Sequence, residues 1–202
     1  MVPGLQRPDC NNSFTMSLIA VGSNLPDRGV ISESIVIDAI AMVADRAGCA
    51  PRVSRLYRTP AFPPGSGPDF VNSAFALNWS DGPEALLALL HEVEARFNRI
   101  RRDRWTARTL DLDLIALGDR VCPDAQVQTR WRDLSAEEAA HVAPGQLILP
   151  HPRLQDRGFV LVPLADVAPD WRHPLTGLSV AEMLAARPRE ELAEIRPLLS
   201  GT

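Results

Sequence analysis

Segments in which apolar residues have strand-like spacing alternate with segments in which they have helical spacing along residues 16–117. The order of these segments limits the folds that this chain can adopt. Four segments have the length and the side-to-side alternation that are typical of strands. They are residues 16–22, 51–59, 69–79 and 109–117. Helical spacing of apolar residues marks 28–47, which Gly48 is expected to end, and a second helix that begins near Pro83.

The resulting order is β-α-β-β-α-β, which predicts an α+β fold of the ferredoxin-like type. Such a fold has an antiparallel sheet with both helices on one face, here with additional C-terminal helices and strands. We expect residues 1–15 to form a disordered tail and 16–202 a single catalytic domain, with a surface insertion at about 124–146 and frayed residues at 187–202. Short helices are predicted over residues 135–141, 158–167 and 179–186.

The composition excludes several classes of protein. All 21 basic residues are arginine, so the chain has neither the lysine of a P-loop nor the strand lysine of a protein kinase. The net charge of −4 disfavours nucleic-acid binding. Three scattered cysteines without metal spacing disfavour zinc and disulfide frameworks. Since no apolar run approaches about 20 residues and no signal peptide is evident, we expect a cytoplasmic protein that is not bound to membranes.

An arginine-rich stretch leads directly into a pair of aspartates. Residues 96–108 contain six arginines and one acid, in a chain of net negative charge. Asp111 and Asp113 follow in a predicted strand, where residues two apart share a face. Carboxylates in a strand suit metal binding, and arginines bind phosphate oxygens in pairs of hydrogen bonds. The pattern therefore indicates a metal–polyphosphate site, with Trp105 placed to pack over a nucleotide or to close a lid.

Two further clusters are candidates for binding. His151 lies between two prolines, which restrict its backbone, and Arg157 and Phe159 follow it. Phe70 and Asn72 share the strand face opposite an apolar stripe, and an aromatic ring beside an amide suits a flat heterocycle. Thr59, Pro60 and Phe62 precede this strand.

These residues alone leave several functions open. A metal-dependent hydrolase or a nucleotidyltransferase would use the same aspartate pair. A non-catalytic nucleotide- or RNA-binding module would use the arginines without needing the aspartates.

Six motifs in order narrow the choice. They are Ala20-Val-Gly-Ser-Asn-Leu25, Tyr57-Arg-Thr-Pro60, Pro68-Asp-Phe-Val-Asn72, Arg104-Trp-Thr-Ala-Arg-Thr-Leu-Asp-Leu-Asp113, Leu149-Pro-His-Pro152 and Arg157-Gly-Phe159. Together they resemble the 6-hydroxymethyl-7,8-dihydropterin pyrophosphokinase family of folate biosynthesis. The resemblance covers residues 16–178, with one residue fewer than usual between Arg101 and Arg104 and with Ala107 where proline is usual.

The resemblance implies transfer of diphosphate from ATP to the pterin hydroxymethyl group, with release of AMP. It implies two Mg²⁺ ions on Asp111 and Asp113, and ATP as the co-substrate. The residues implied in catalysis are Arg99, Arg104, Arg108, Asp111 and Asp113. Those implied near ATP are Glu94, Arg99, Arg101, Arg104, Trp105, Arg108, His151 and Arg157. Those implied near the pterin are Thr59, Pro60, Phe62, Phe70, Asn72 and Phe159. We expect a monomer, with a weak dimer as the alternative.

Overall fold

Six strands, seven α-helices and one 3-10 helix, Leu154–Asp156, lie in the part of the chain that the computed structural model describes, which is residues 14–26, 29–61, 67–97 and 109–198. The strands are β1 Thr15–Ser23, β2 Arg52–Val53, β3 Tyr57–Thr59, β4 Phe70–Trp79, β5 Asp111–Leu117 and β6 Arg196–Pro197. The helices are α1 Ser32–Ala47, α2 Pro83–Arg96, α3 Ala125–Arg132, α4 Ala136–His141, α5 Gly158–Val167, α6 Val180–Ala185 and α7 Arg189–Ala193. No described helix is long and apolar enough to cross a bilayer.

The strands form one antiparallel sheet in the order β5-β1-β4-β3-β6, and β2 pairs separately with β4. The predicted α+β class is therefore confirmed. The predicted second strand, 51–59, is split into β2 and β3. Ser54 lies at the break, where its backbone N–H donates to the carbonyl of Ala74 at 2.9 Å and its hydroxyl accepts from the N–H of Ala74 at 3.0 Å. The side chain thus replaces a ladder bond at the break.

One face of the sheet carries the larger apolar core, under α1 and α2. Its fully buried side chains include Ile19, Phe75 and Leu90, each of which stabilises the fold by about 1.5–3 kcal/mol through burial. α1 ends at Gly48, whose φ of +66° is a left-handed conformation that glycine adopts without strain. Both helices lie on this face, as the sequence predicts.

The other face of the sheet is covered by α5 and α6. Alanines on the strands, such as Ala74 and Ala76, allow α5 to approach the sheet closely. An anchor at the far end of α5 is Asp166, which accepts hydrogen bonds from the guanidinium of Arg55 at 2.8 and 3.1 Å and from the hydroxyl of Tyr57 at 2.7 Å. Burial, followed by this hydrogen bond, raises the pKa of Tyr57 to about 12. The anchor fixes α5 against β3.

The expected insertion at 124–146 contains two helices, and α3 and the turn after it contact the segment around His151. α4 has the predicted capping box of Ser135 and Glu138, whereas α3 escaped prediction although Asp124 caps its N-terminus. The amide of Gln128 donates to the carbonyl of Pro150 at 3.1 Å, and Arg153 donates to a carbonyl of the insertion at 2.8 Å. The insertion therefore supports the polypeptide on both sides of His151.

The expectation that residues 187–202 are frayed is wrong for the described part of that segment. α7 packs against α5, and β6 pairs with the edge of β3, with Tyr57 opposite Pro197. Leu198 then donates its N–H to the carbonyl of Leu56 at 2.8 Å. Among the charged side chains of this segment, Glu191 contacts Gly158, which is 33 residues away.

Acidification is expected to destabilise the protein through His173, which is 1% exposed. Burial, followed by the charge of Arg132, lowers its pKa to about 4. Between pH 6.5 and pH 4 the unfolded chain binds a proton that the folded chain does not, so stability is complete above pH 6.5 and falls as the pH falls. The loss from pH 7 to pH 5 is about 2 kcal/mol for this group. Urea unfolding at both pH values would measure it.

The quantity to compare between variants is the difference in the free energy of unfolding between pH 7 and pH 5. His173→Gln should shrink the difference, whereas His141→Gln, at an exposed position, should leave it unchanged. An equal difference in His173→Gln and the wild type would contradict the assignment.

Candidate active site

Strand register brings the predicted metal-binding and pterin-binding residues to one end of the sheet. Gly22, near the end of β1, pairs with Asp111 on one side and with Asn72 on the other. Asn72 pairs in turn with Tyr57, and Thr59 pairs with Phe70. Since neighbouring strands are about 4.8 Å apart, Asp111 and Asn72 are separated by roughly 10 Å across the sheet. This distance suits two substrates lying side by side.

Asp111 and Asp113 lie on the same face of β5, as the sequence predicts. The leucines that alternate with them, Leu110, Leu112 and Leu114, belong to the core under α1 and α2. The two carboxylates therefore point to the opposite face. Both aspartates are half-buried. This geometry leaves their oxygens able to contact a bound ion while their backbone remains part of the sheet.

Glu94 supports the strand that carries the aspartates. Its carboxylate is 2% exposed and accepts a hydrogen bond at 2.8 Å from the backbone N–H of Leu112, between Asp111 and Asp113. A buried carboxylate in this position fixes the strand, and its predicted proximity to ATP stays a prediction.

Arg157 links the aspartate pair to the predicted pterin side. Its guanidinium contacts the carboxylate of Asp113 at 3.2 Å, and its central carbon lies 5.8 Å from the centre of the Phe159 ring. Both partners of the ion pair are about one third exposed, so the pair contributes at most about 1 kcal/mol and can be exchanged for stronger contacts to a metal or phosphate.

His151 lies next to the same charges as a neutral hydrogen-bond donor. Its backbone N–H donates to Ile115, and its Nδ1 accepts from the N–H of Arg153 at 3.1 Å, which leaves the proton on Nε2. The residue keeps some contact with solvent, but its ring is closely surrounded. Burial, followed by the charge of Arg157 and against a smaller opposing effect of Asp111, lowers its pKa to about 3. A phosphate can therefore receive a hydrogen bond from His151 without a change of protonation near neutral pH.

The predicted pterin residues include a buried polar pair and two partly exposed rings. The amide of Asn72 donates to the hydroxyl of Thr59 at 2.7 Å, and both side chains are more than 90% buried. Phe70 is half-buried and Phe159 is 40% exposed. A buried amide with a fixed orientation and exposed ring surface together suit a flat, hydrogen-bonding heterocycle.

Gly22 of β1 lies directly beside two of the predicted pterin residues. A Cβ atom at this position would lie 2.6 Å from Oδ1 of Asn72 and 3.8 Å from Cδ1 of Phe70. The Asn72 side chain therefore lies directly on the backbone of β1. A glycine inside a strand was the signal that could have revealed this close approach.

Several predicted site residues lie outside the described part of the chain. They are Phe62, Arg99, Arg101, Arg104, Trp105 and Arg108. All of them except Phe62 belong to the segment between α2 and β5, and β5 begins with Asp111 at the site end of the sheet. Pro60 is described and exposed, directly after Thr59.

The donor set fits Mg²⁺. Hard oxygen ligands suit this ion, which is commonly held by one or two carboxylates together with substrate phosphates. Within the described ranges no cluster of three or more His, Cys, Asp or Glu side chains has a metal-binding arrangement. Asp111 and Asp113 therefore fit an ion whose remaining ligands come from a polyphosphate and water.

The protein has an antiparallel sheet that carries this carboxylate pair, an arginine and a neutral histidine at one end. These features are those expected of a metal-assisted phosphoryl-type transferase. Comparison with known proteins makes the assignment specific. The family model for 7,8-dihydro-6-hydroxymethylpterin-pyrophosphokinase (HPPK) matches residues 18–169, and the chain belongs to this family.

Relatives of known name agree. The chain is 37% identical over 169 residues to the 2-amino-4-hydroxy-6-hydroxymethyldihydropteridine pyrophosphokinase of Synechocystis sp., covering 83% of this chain and 74% of that protein. It is 35% identical over 178 residues to the enzyme of the same name from Pseudomonas aeruginosa, covering 88% and 94%. The expected family is therefore confirmed.

Solved structures agree in fold. The Plasmodium falciparum HPPK-DHPS structure with pteroate matches with a TM-score of 0.58 at 11% identity, covering 87% of this chain and 43% of that one. The present chain thus spans less than half of that longer protein, and at this identity the likeness concerns the fold alone.

Proposed function

We propose a division of labour for the diphosphate transfer that this chain, as an HPPK, carries out from ATP to 6-hydroxymethyl-7,8-dihydropterin in folate biosynthesis. The observation that carries the proposal is the row formed by Asp111, Gly22 and Asn72 across three neighbouring strands. ATP binds on the β5 side of this row and the pterin on the β4 side.

On the ATP side, Asp111 and Asp113 hold two Mg²⁺ ions. When bound, these ions neutralise the triphosphate and favour attack on its β-phosphorus. His151 donates from Nε2 to a phosphate oxygen, and Arg157 exchanges its contact with Asp113 for a phosphate. A histidine with a pKa near 3 is too weak a base to accept the alcohol proton efficiently near neutral pH.

The remaining predicted ATP residues complete this side. Arg99, Arg101, Arg104 and Arg108 neutralise the phosphates, and Trp105 packs on the base. Charge neutralisation and positioning supply most of the catalysis in reactions of this type, which need little covalent help.

On the pterin side, Phe70 and Phe159 stack on opposite faces of the ring. Asn72 and Thr59 bind its polar edge, with Pro60 and Phe62 bordering the pocket. The Asn72–Thr59 hydrogen bond, at 2.7 Å, orients the amide before the substrate arrives, which lowers the entropic cost of binding.

We further propose that residues 16–202 form one catalytic domain of a monomeric, cytoplasmic enzyme that binds neither nucleic acid nor membranes. Residues 124–146 form an insertion whose role is to support His151. The contact between Gln128 and Pro150 favours that role.

Product analysis is expected to show AMP and the pterin diphosphate in equal amounts. EDTA should abolish turnover, because two carboxylates cannot neutralise a triphosphate without the cation, and Mg²⁺ should restore it. Chromatography of the nucleotide products measures the reaction. Release of inorganic phosphate or pyrophosphate would instead favour the hydrolase or nucleotidyltransferase alternatives.

The number of ions needs a separate measurement. Paramagnetic titration with Mn²⁺ in the presence of a non-hydrolysable ATP analogue should give two bound ions per chain. One ion per chain would contradict that part of the proposal.

A further inference from the structure

We propose that Glu191 is a positioning residue that holds the backbone of Gly158, and with it the two substrate-binding side chains on either side of that glycine. The proposal rests on the roles proposed above for Arg157 and Phe159. Oε1 of Glu191 accepts a hydrogen bond at 2.8 Å from the N–H of Gly158, the first residue of α5.

The contact supplies a cap that α5 lacks locally. Arg157, the residue at the N-cap position, makes no side-chain capping bond, and a helix begins with N–H groups that have no partner within the helix. A carboxylate suits this end of a helix because the peptide dipoles make it partly positive. The cap comes from α7, 33 residues further along the chain.

Glu191 is itself held in place. Its second oxygen, Oε2, accepts hydrogen bonds from Nε and Nη2 of Arg187 at 3.0 and 2.7 Å. The two oxygens of one carboxylate thus have different partners, one on the α7 side and one on α5. This arrangement fixes the orientation of the carboxylate as well as its position.

Gly158 is the junction between the two halves of the site. Arg157, before it, contacts Asp113, and Phe159, after it, exposes 40% of its surface and is proposed above to stack on the pterin. Val160 and Leu161 follow in the core with α5 packed on the sheet. Core packing therefore fixes α5 from Val160 onward, and the cap controls only the position of its first turn. A shift of Gly158 would move both of its neighbours.

A side chain at position 158 would displace the Glu191 carboxylate from this contact. A Cβ on Gly158 would lie 2.5 Å from Oε1 of Glu191 and 3.2 Å from Cδ1 of Ile195. The family model ends at residue 169, so both residues that this Cβ would meet come from a segment beyond the matched range.

Steady-state kinetics on three variants of the α7 acids tests the proposal. Glu191→Ala is expected to raise the KM for the hydroxymethylpterin about tenfold, which is the effect of losing one charge-assisted hydrogen bond. The KM for ATP should also rise, and kcat should change less than either KM. Glu191→Gln keeps an oxygen acceptor and should stay within about threefold of the wild type. Glu190→Ala, an exposed acid in the same helix, is the matched control and should behave as the wild type.

Gly158→Ala provides a second route to the same result, with Glu191 still present. It should raise the pterin KM, and adding Glu191→Ala to it should cause little further rise because both changes disrupt one contact. Unchanged KM values in Glu191→Ala would overturn the proposal. Equal rises of the KM values in Glu191→Gln and Glu191→Ala would also overturn it. A third contradicting result is a loss of kcat in proportion to the fraction of unfolded protein, with no other change.

Phe159→Ala separates this inference from the site on which it rests. If Phe159→Ala raises the pterin KM and Glu191→Ala does not, the positioning role alone is wrong. If Phe159→Ala leaves the pterin KM unchanged, the proposed pterin site is wrong and the positioning role fails with it.

Discussion

Asp113→Ala is expected to lower kcat by about three orders of magnitude, because it removes one of the two carboxylates proposed to hold the metal ions. The fold should tolerate the change. Asp113 is about one third exposed, and its ion pair with Arg157 lies at the surface, so its loss should cost at most about 1 kcal/mol. Coupled detection of AMP, together with thermal unfolding, measures the two effects separately.

Asp119→Ala is the matched control, since this exposed aspartate lies in the turn after the same strand and faces no proposed substrate. It should retain wild-type turnover. A kcat above about one tenth of the wild-type value in Asp113→Ala would show that the aspartate is not a metal ligand in the reaction. Retained ATP binding with lost turnover in Asp113→Ala would place the defect in the chemical step.

Gly22→Ala is expected to have the second largest effect, a rise of about 30-fold in the KM for the pterin. The added methyl group would lie 2.6 Å from Oδ1 of Asn72, so the amide must move. Movement breaks its 2.7 Å hydrogen bond to Thr59 and misdirects the groups proposed to bind the pterin. A buried polar group that loses its partner costs about 1–3 kcal/mol, which corresponds to about 5–150-fold in binding.

Gly145→Ala is the matched glycine control, because a Cβ there meets nothing within 4 Å. The double variant Gly22→Ala with Asn72→Ala should bind the pterin no worse than Asn72→Ala alone, since the methyl group then has no amide to displace. A pterin KM for Gly22→Ala equal to that of Gly145→Ala would contradict the proposed role of Asn72.

Local patterns in the sequence predicted much of the fold and the strand face that carries the candidate metal-binding residues. Alternation of apolar and polar residues placed Asp111 and Asp113 on the face opposite the leucines of β5, and Gly48 marked the end of α1. These features depend on neighbours within a few residues. They can therefore be read from composition and spacing along the chain.

Contacts between distant residues could not be predicted in this way. The break between β2 and β3 depends on Ser54 bonding Ala74, 20 residues away. The contact of α7 with the start of α5 includes the hydrogen bond between Glu191 and Gly158, which are 33 residues apart. The candidate site likewise depends on strand register, because the pairing of Gly22 with both Asp111 and Asn72 brings the predicted metal-binding and pterin-binding residues together.

Strand β6 has a consequence for how the molecule behaves in concentrated solution. An uncovered sheet edge offers free N–H and C=O groups to other chains and promotes aggregation. Here the edge of β3 is covered by only two residues, one of which, Pro197, has no N–H to donate. A short final strand with a missing donor is a poor template for a further strand, so the C-terminal segment protects this side of the sheet against edge-to-edge association.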